Sequence, residues 1–304
     1  MNINFYHISK FIFKKLFGFS IFAISIYYIF KLLNTNYELI KILIVLFPIK
    51  ILLFCIFLNT TGGIVNSALW FIISKEFNDK TNFLISYKAW SIGRIYRYLP
   101  GKIFGYIARH AAQKDNLKNG IYSSANEYII SLIPIFILAI LFFTFEIKMS
   151  LTINLSIFLI LFFLLFSKNL IKITERVFEK FSVNYFISEN VFSPIQLIKF
   201  SSISFISIIF HGLSFYFLVK LGLRDDSLTI LNAIPILYLA GLAGQLSIVS
   251  PGGLGTREAS LSFLMILSGT DESIALSAAV MSRMTLFLSE LVNVAISRIK
   301  DSNY

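Results

Sequence analysis

The chain is poor in the residues from which most soluble folds and catalytic sites are built. A single cysteine in 304 residues, Cys55, excludes an intramolecular disulfide and a cysteine-based zinc site. Lying in an apolar run, it reads as a small buried hydrophobe. Three histidines, His7, His110 and His211, lack metal-ligand spacing. No Ser-His-Asp arrangement, phosphate-binding loop or acidic metal cluster is present, so no metal or cofactor is expected. Charge is scarce: Asp, Glu, Lys and Arg together make 14% of the chain, where a soluble domain carries about 25%. Acidic residues are the scarcer sign, 16 against 27 basic ones, for a net charge of +11.

What remains is 57% hydrophobic, with 33 Phe and a mean hydropathy of +0.78. That composition excludes a soluble enzyme, a disordered chain and a nucleic-acid-binding domain. It fits an all-α, polytopic helical membrane protein in which the basic excess serves cytoplasmic loops and anionic lipid headgroups.

About 20 apolar residues span a bilayer, and candidate runs follow directly. They are Leu16–Phe30, Ile42–Leu58 (with a broken continuation through Gly62-Gly63 to Ile73), Ile121–Phe143, Leu151–Phe166, Phe200–Val219, Ile230–Val249, Leu254–Leu267 and Ile274–Ile296. No small-x-small site follows Tyr27-Tyr28, so the first run reads as a retained helix and not a signal peptide. Counting Lys and Arg, the N-terminus, residues 75–118, residues 168–199 and the C-terminus hold 19, whereas the alternate loops hold five. The positive-inside rule then puts both termini in the cytoplasm of a multi-pass protein of the inner membrane.

Two segments resist simple spanning, 84–113 and 230–268, each broken at a Pro-Gly step. Read as hairpins that enter and leave by one face, they give the order helix, helix, hairpin, helix, twice over. The chain is then one integral membrane domain of two inverted halves, about 1–146 and 150–304, with six to eight membrane helices. Interrupted helices at matching positions point to a transporter-type site. Eight plain crossings fit the loop charges equally well.

The breaks share wording: Pro100-Gly101-Lys102-Ile103-Phe104-Gly105 and Pro251-Gly252-Gly253-Leu254-Gly255, followed by Arg109 and Arg257 respectively. Proline removes a donor and disfavours helix before it, glycine permits reversal, and the restarting helix offers free N–H groups to an anion. A phosphate-bearing headgroup suits such a site; a mere turn between helices is the plainer reading.

The strings Arg94-Ile95-Tyr96-Arg97-Tyr98-Leu99-Pro100-Gly101-Lys102-Ile103-Phe104-Gly105 and Ser250-Pro251-Gly252-Gly253-Leu254-Gly255-Thr256-Arg257-Glu258-Ala259 resemble the transmembrane region of lysylphosphatidylglycerol synthases, a family that includes stand-alone flippase-like proteins. The resemblance covers nearly the whole chain. It implies lipid or lipid-linked sugar handling. With the chain ending eight residues after Ile296, a member without the aminoacyl-transfer domain is expected.

Intramembrane charges are costly and therefore candidates for function. Glu127 and Arg283 hold equivalent places after the two hairpins and are expected to pair. Arg283, Glu290 and Ser297 share a helix face. Ser204, Ser207, His211 and Ser214 form a polar stripe, either a path lining or small-residue packing. The basic-aromatic run Tyr87, Lys88, Trp90, Arg94, Tyr96, Arg97, Tyr98, Lys102 reads as anionic-lipid contact with interfacial aromatic anchors. Asp225-Asp226 and Asp271-Glu272 read as solvated loop charge.

The expected function is translocation of an anionic phospholipid or polyprenyl-phosphate-linked lipid between leaflets. Arg94, Arg97, Lys102 and Arg109 would grip the headgroup, and Arg257 and Arg283 would contact phosphate. Pro100, Gly101, Pro251, Gly252 and Gly253 would shape the breaks, with Glu127, His211, Glu258 and Glu290 along the path. The alternative is an enzyme or accessory subunit that modifies a lipid or lipid-linked glycan, with Glu127 or Glu290 as base; a scaffold for a lipid- or glycan-synthesis enzyme is a third reading. Membrane lipids are the expected partners and nucleic acid is not.

Overall fold

A computed structural model describes residues 37–38, 41–77, 81–98, 103–113, 117–148, 150, 192–247 and 253–299. The expected helices Leu16–Phe30 and Leu151–Phe166, and Leu99, Pro100, Gly101, Lys102, Ser250, Pro251 and Gly252 of the breaks, lie outside the described residues. Within them the fold is helical, without strands.

Beyond a short helical stretch at 41–45, the helices with both ends among the described residues are, in order, α1 Ile49–Lys75, α2 Phe83–Tyr96, α3 Ile103–Gln113, α4 Leu117–Phe145, α5 Pro194–Phe217, α6 Ile230–Leu246, α7 Thr256–Leu267 and α8 Glu272–Ile299. Among the described residues, four stretches are long and apolar enough to cross a membrane: Ile49–Lys75, Ser123–Phe145, Ile195–Gly222 and Glu272–Arg298. The other helices have 14, 11, 17 and 12 residues, short of the roughly 20 that a span needs.

Local sequence accounts for several ends. Pro48, which has no N–H to leave unpaired, precedes α1 in an extended conformation. Ser193 caps α5 through a reciprocal bond with Gln196, and Pro194 occupies the first turn, where its fixed φ costs nothing. The helix ends in a π turn over Leu218–Gly222, where Gly222 leaves room for the Phe47 ring. The two loop acid pairs are more than solvated charge. Asp271 accepts the Ser273 N–H at 2.8 Å and starts α8, and the Ser273 hydroxyl and N–H hold its carboxyl below the usual carboxylate range. Asp225 accepts the Ser227 N–H at 2.9 Å.

The expected interruption at Gly62-Gly63 does not occur, and α1 is one helix. The glycines let neighbours approach. A Cβ on Gly62 would lie 2.9 Å from the His211 ring of α5, and one on Gly63 would lie 2.6 Å from Asn293 of α8. A single glycine costs a helix about 1 kcal/mol, which these close contacts offset. α1 is thereby the hub, packed on α5 and also on α2, α4 and α8. Gly63→Ala is expected to overpack this crossing and lower stability by about 1–3 kcal/mol, read as a lower thermal midpoint in detergent. An unchanged midpoint would show that α8 yields freely there.

Polarity runs opposite to that of a soluble fold. Val45, Leu46, Phe57, Phe145, Ile195 and Leu231 are among the most exposed side chains. Ser67, Ser207, Ser277, Thr285, Glu290 and Asn293 are buried. Only a surface that meets lipid makes this arrangement favourable. The chain is a multi-pass membrane protein. An apolar core of Cys55, Phe142, Phe215, Leu218, Ile236, Met265 and their neighbours closes one region, and the polar groups gather beside it.

Candidate functional site

The short helices form two hairpins, α2 with α3 and α6 with α7. Each is drawn tight by a glycine pair. A Cβ on Gly93 would fall 2.8 Å from the Gly105 carbonyl oxygen and 3.0 Å from Cβ of Arg109. In the second hairpin, a Cβ on Gly244 would fall 2.9 Å from Cβ of Arg257, and one on Gly253 would sit 3.0 Å from Cα of Gly244. In both hairpins the arginine stands four residues, about one turn, beyond the second glycine. The tail of the second break is also readable locally: Gly253 and Gly255 have φ of 74° and 81°, values only glycine adopts cheaply. Glu258 reaches back to accept the Gly255 N–H at 2.8 Å, closing the first turn of α7.

The hairpins meet α1, α4, α5 and α8 around a cavity of about 460 Å³ whose wall includes Arg94, Arg97, Arg109, Arg257 and Arg283 together with Glu127 and His211. Three carboxylates serve four of these guanidiniums. Arg109 is bidentate on Glu127, at 2.7 and 3.1 Å, and lies 3.5 Å over the ring of Trp70. The indole N–H of Trp70 donates to Gln113 at 3.1 Å. Glu290, 2% exposed, takes Arg97 at 2.6 Å and Arg94 at 3.3 Å on the same oxygen. Arg283 reaches Glu258 at 3.2 Å. Tyr98, the last described residue before the first break, has both Arg97 and Arg283 at 5.1 Å from its ring centre. Its ring meets Phe287 edge-on.

Arg257 has no carboxylate within ion-pair distance among the described residues. Among the described residues, the five guanidiniums of the cavity wall and the three carboxylates that hold four of them leave this region with a net charge of +2.

The expected Glu127–Arg283 pair is absent. Each is held by its own hairpin, Glu127 by Arg109 of α3 and Arg283 by Glu258 of α7. Arg283 and Glu290 do share α8, yet their partners differ: Arg283 faces the second hairpin and Glu290 the first. The basic-aromatic run is also mostly interior. Tyr87 and Trp90 are 5% and 3% exposed, Tyr87 donates to Asn293 at 2.8 Å, and Arg94 and Arg97 line the cavity. Tyr96 alone of these aromatics is largely exposed. The serine stripe divides. Ser207 bonds the Gly62 carbonyl at 2.9 Å and Ser214 that of Cys55 at 3.0 Å, which is interhelical packing, while His211 and Ser214 also reach the cavity wall. Trp70, Asn59 and Tyr238 belong to the site's surroundings and carried no signal in the sequence; in apolar runs, such residues look like any other membrane-helix side chain.

A family model described as the lysylphosphatidylglycerol synthase TM region matches residues 15–292. The chain belongs to that family. Membership carries a role connected with membrane lipids. No curated protein matches the chain.

Proposed function

We propose that this lysylphosphatidylglycerol synthase TM-region protein moves an anionic lipid, a phospholipid or a polyprenyl-phosphate-linked lipid, between the leaflets of the cytoplasmic membrane. The observation that carries this reading is the surplus of positive charge in a membrane-embedded cavity, centred on Arg257. Uncompensated charge at membrane depth is expensive, and a phosphate diester entering the cavity would offset it. The two glycine-tightened hairpins, each carrying an arginine into the cavity, support two inverted halves, about 1–146 and 150–304, that rock about the bound headgroup. With both termini cytoplasmic, as the 19-to-five distribution of basic residues favours, the first hairpin faces the cytoplasm and the second the opposite side. For the alternative of a lipid-modifying enzyme the expected bases are Glu127 and Glu290, and both carboxylates are ion-paired with guanidiniums.

The test is leaflet exchange in liposomes that contain the purified chain and a fluorescent anionic phospholipid. Exchange is expected well above protein-free vesicles. Arg257→Gln is expected to lower it about tenfold, the effect of losing ~1.4 kcal/mol of phosphate contact, with the thermal midpoint kept. Exchange no faster than in empty vesicles, for both phospholipid and polyprenyl phosphate, would overturn the reading.

A further inference from the structure

Two prolines lie inside helices of the described fold, Pro134 in α4 and Pro235 in α6. A proline has no N–H to give to the carbonyl four residues earlier, and its ring crowds that turn. Such a turn bends more readily than its neighbours. What the soft turn can do depends on what holds the helix on either side of it.

The two prolines differ in this respect. On α6, Ala233 before Pro235 and Ile236 and Ala240 after it belong to one apolar core, with Leu261 of α7 and Ala278 of α8. A bend there would shear a single packed body, which an interior of crystal-like density resists. On α4 the packing changes at the proline. Ile130, before Pro134, is buried in a cluster with Leu69 and Ile73 of α1 and Phe200 of α5. Phe142, after it, is buried in the core that holds α6, α7 and α8. Between the two lies a small joint of Ile135 with Ile208 of α5 and Ile234 of α6. α1 and α5 also run from one cluster to the other, Leu69 to Cys55 and Phe200 to Phe215. Each carries glycine in that passage, Gly62-Gly63 and Gly212, and each glycine weakens a helix by about 1 kcal/mol. Among the described residues, every helix that joins the two clusters has a softened turn between them.

The part of α4 before Pro134 is also the part that works in the cavity. Ser124, Glu127, Tyr128, Ser131 and Leu132 line it, and of the described residues of α4 past the proline only Ile135 does. Glu127 binds Arg109, and the Ser124 hydroxyl lies 3.3 Å from Nε2 of His110, so this arm carries α3 of the first hairpin with it. The facing wall, with Tyr238 and Leu242 of α6 and Arg257 of α7, belongs to the body packed around α6.

We infer that Pro134 is a hinge on which the α4 arm 117–133, with the first hairpin, swings against the second half and changes the width of the cavity. The use of this motion rests on the translocation reading; its geometry rests on the packing. The moving boundary falls inside α4 and not in the loop between the halves. The arm is about 25 Å long, so a bend of about 10° at Pro134, half of a sharp kink, moves its far end by about 4 Å. Its ties to α8, Arg94 and Arg97 on Glu290, are contacts that the swing makes and breaks.

Spin-label distances in the full chain, in nanodiscs, read this motion, with the buried Cys55 changed to alanine. Ala125 and Leu141 are exposed on α4 on either side of Pro134, and Phe263 is exposed on α7. The pair Ala125→Cys with Phe263→Cys is expected to give a broad or double distribution, and Leu141→Cys with Phe263→Cys a single narrow one. Pro134→Ala restores the missing backbone donor. It is expected to narrow the first distribution and to slow leaflet exchange of a fluorescent anionic phospholipid about tenfold, ~1.4 kcal/mol on the barrier. Pro235→Ala is expected to change neither. Equal widths for the two pairs in the chain with both prolines would overturn the hinge without recourse to a proline variant. A broad first distribution that survives Pro134→Ala, or that Pro235→Ala narrows as much, would also overturn it. Narrowing with exchange unchanged would remove the hinge from transport. Leaflet exchange by the unaltered chain separates the two readings: a broad, Pro134-dependent distribution without exchange sinks translocation and leaves the hinge standing, and exchange with equal widths does the reverse.

Discussion

Replacing Glu127 with leucine is expected to lower the free energy of unfolding by about 3–5 kcal/mol, the usual effect of stranding one member of a buried ion pair. The geometry makes the upper part of that range reasonable. Arg109 is bidentate on Glu127, and the two side chains are 9% and 14% exposed. Its only other described support is the Trp70 ring beneath it, and a ring face supplies ~2 kcal/mol at most when desolvated. The double change Arg109→Met with Glu127→Leu removes both charges and is expected to recover most of the loss, because apolar residues of similar volume satisfy such a site. Thermal and denaturant unfolding in one detergent measures both. Single and double variants destabilised equally would show that the pair is not coupled.

This pair also shows what one dimension conceals. The membrane class, apolar runs that overlap α1, α4, α5 and α8, and the Pro-Gly breaks within 84–113 and 230–268 follow from hydropathy, length and composition, while loop charge fits hairpins and plain crossings equally well. These are local properties. The partners of Glu127 and Arg283 depend on which helix each hairpin arm touches, and equivalent positions in two halves suggest a pairing that the packing does not make. Gly62-Gly63 misleads for a related reason. Glycine serves both reversals and close crossings, and only the arrival of His211 and Asn293 from distant segments separates the two uses. The basic-aromatic run over 87–102 has the composition of an interfacial belt, yet most of its described aromatics and its arginines turn inward, because the carboxylate that draws Arg94 and Arg97 lies almost two hundred residues later, at Glu290.

Glu290→Gln separates a structural from a functional use of that carboxylate. The substitution keeps the shape and removes the counter-charge from Arg94 and Arg97, which sit 3.3 and 2.6 Å from one oxygen. Stability is expected to fall by about 3 kcal/mol, since two guanidiniums are left facing each other in a poorly solvated region. Binding of an anionic phospholipid is expected to move the other way and tighten about tenfold. The cavity's surplus rises from two positive charges to three, and one charge at about 5 Å and an effective dielectric near 20 is worth a few kcal/mol before desolvation is subtracted. Leaflet exchange is then expected to slow despite the tighter binding. A carrier must release what it binds, and binding that is not matched along the path deepens the resting state instead of lowering the barrier. On this reasoning Glu290 holds the two arginines while the cavity is empty and competes with the lipid phosphate for them when it is filled. Native mass spectrometry and liposome exchange on one preparation give both quantities. Affinity and stability falling together would make Glu290 a strut between α8 and the first hairpin, with no part in admitting or releasing the lipid.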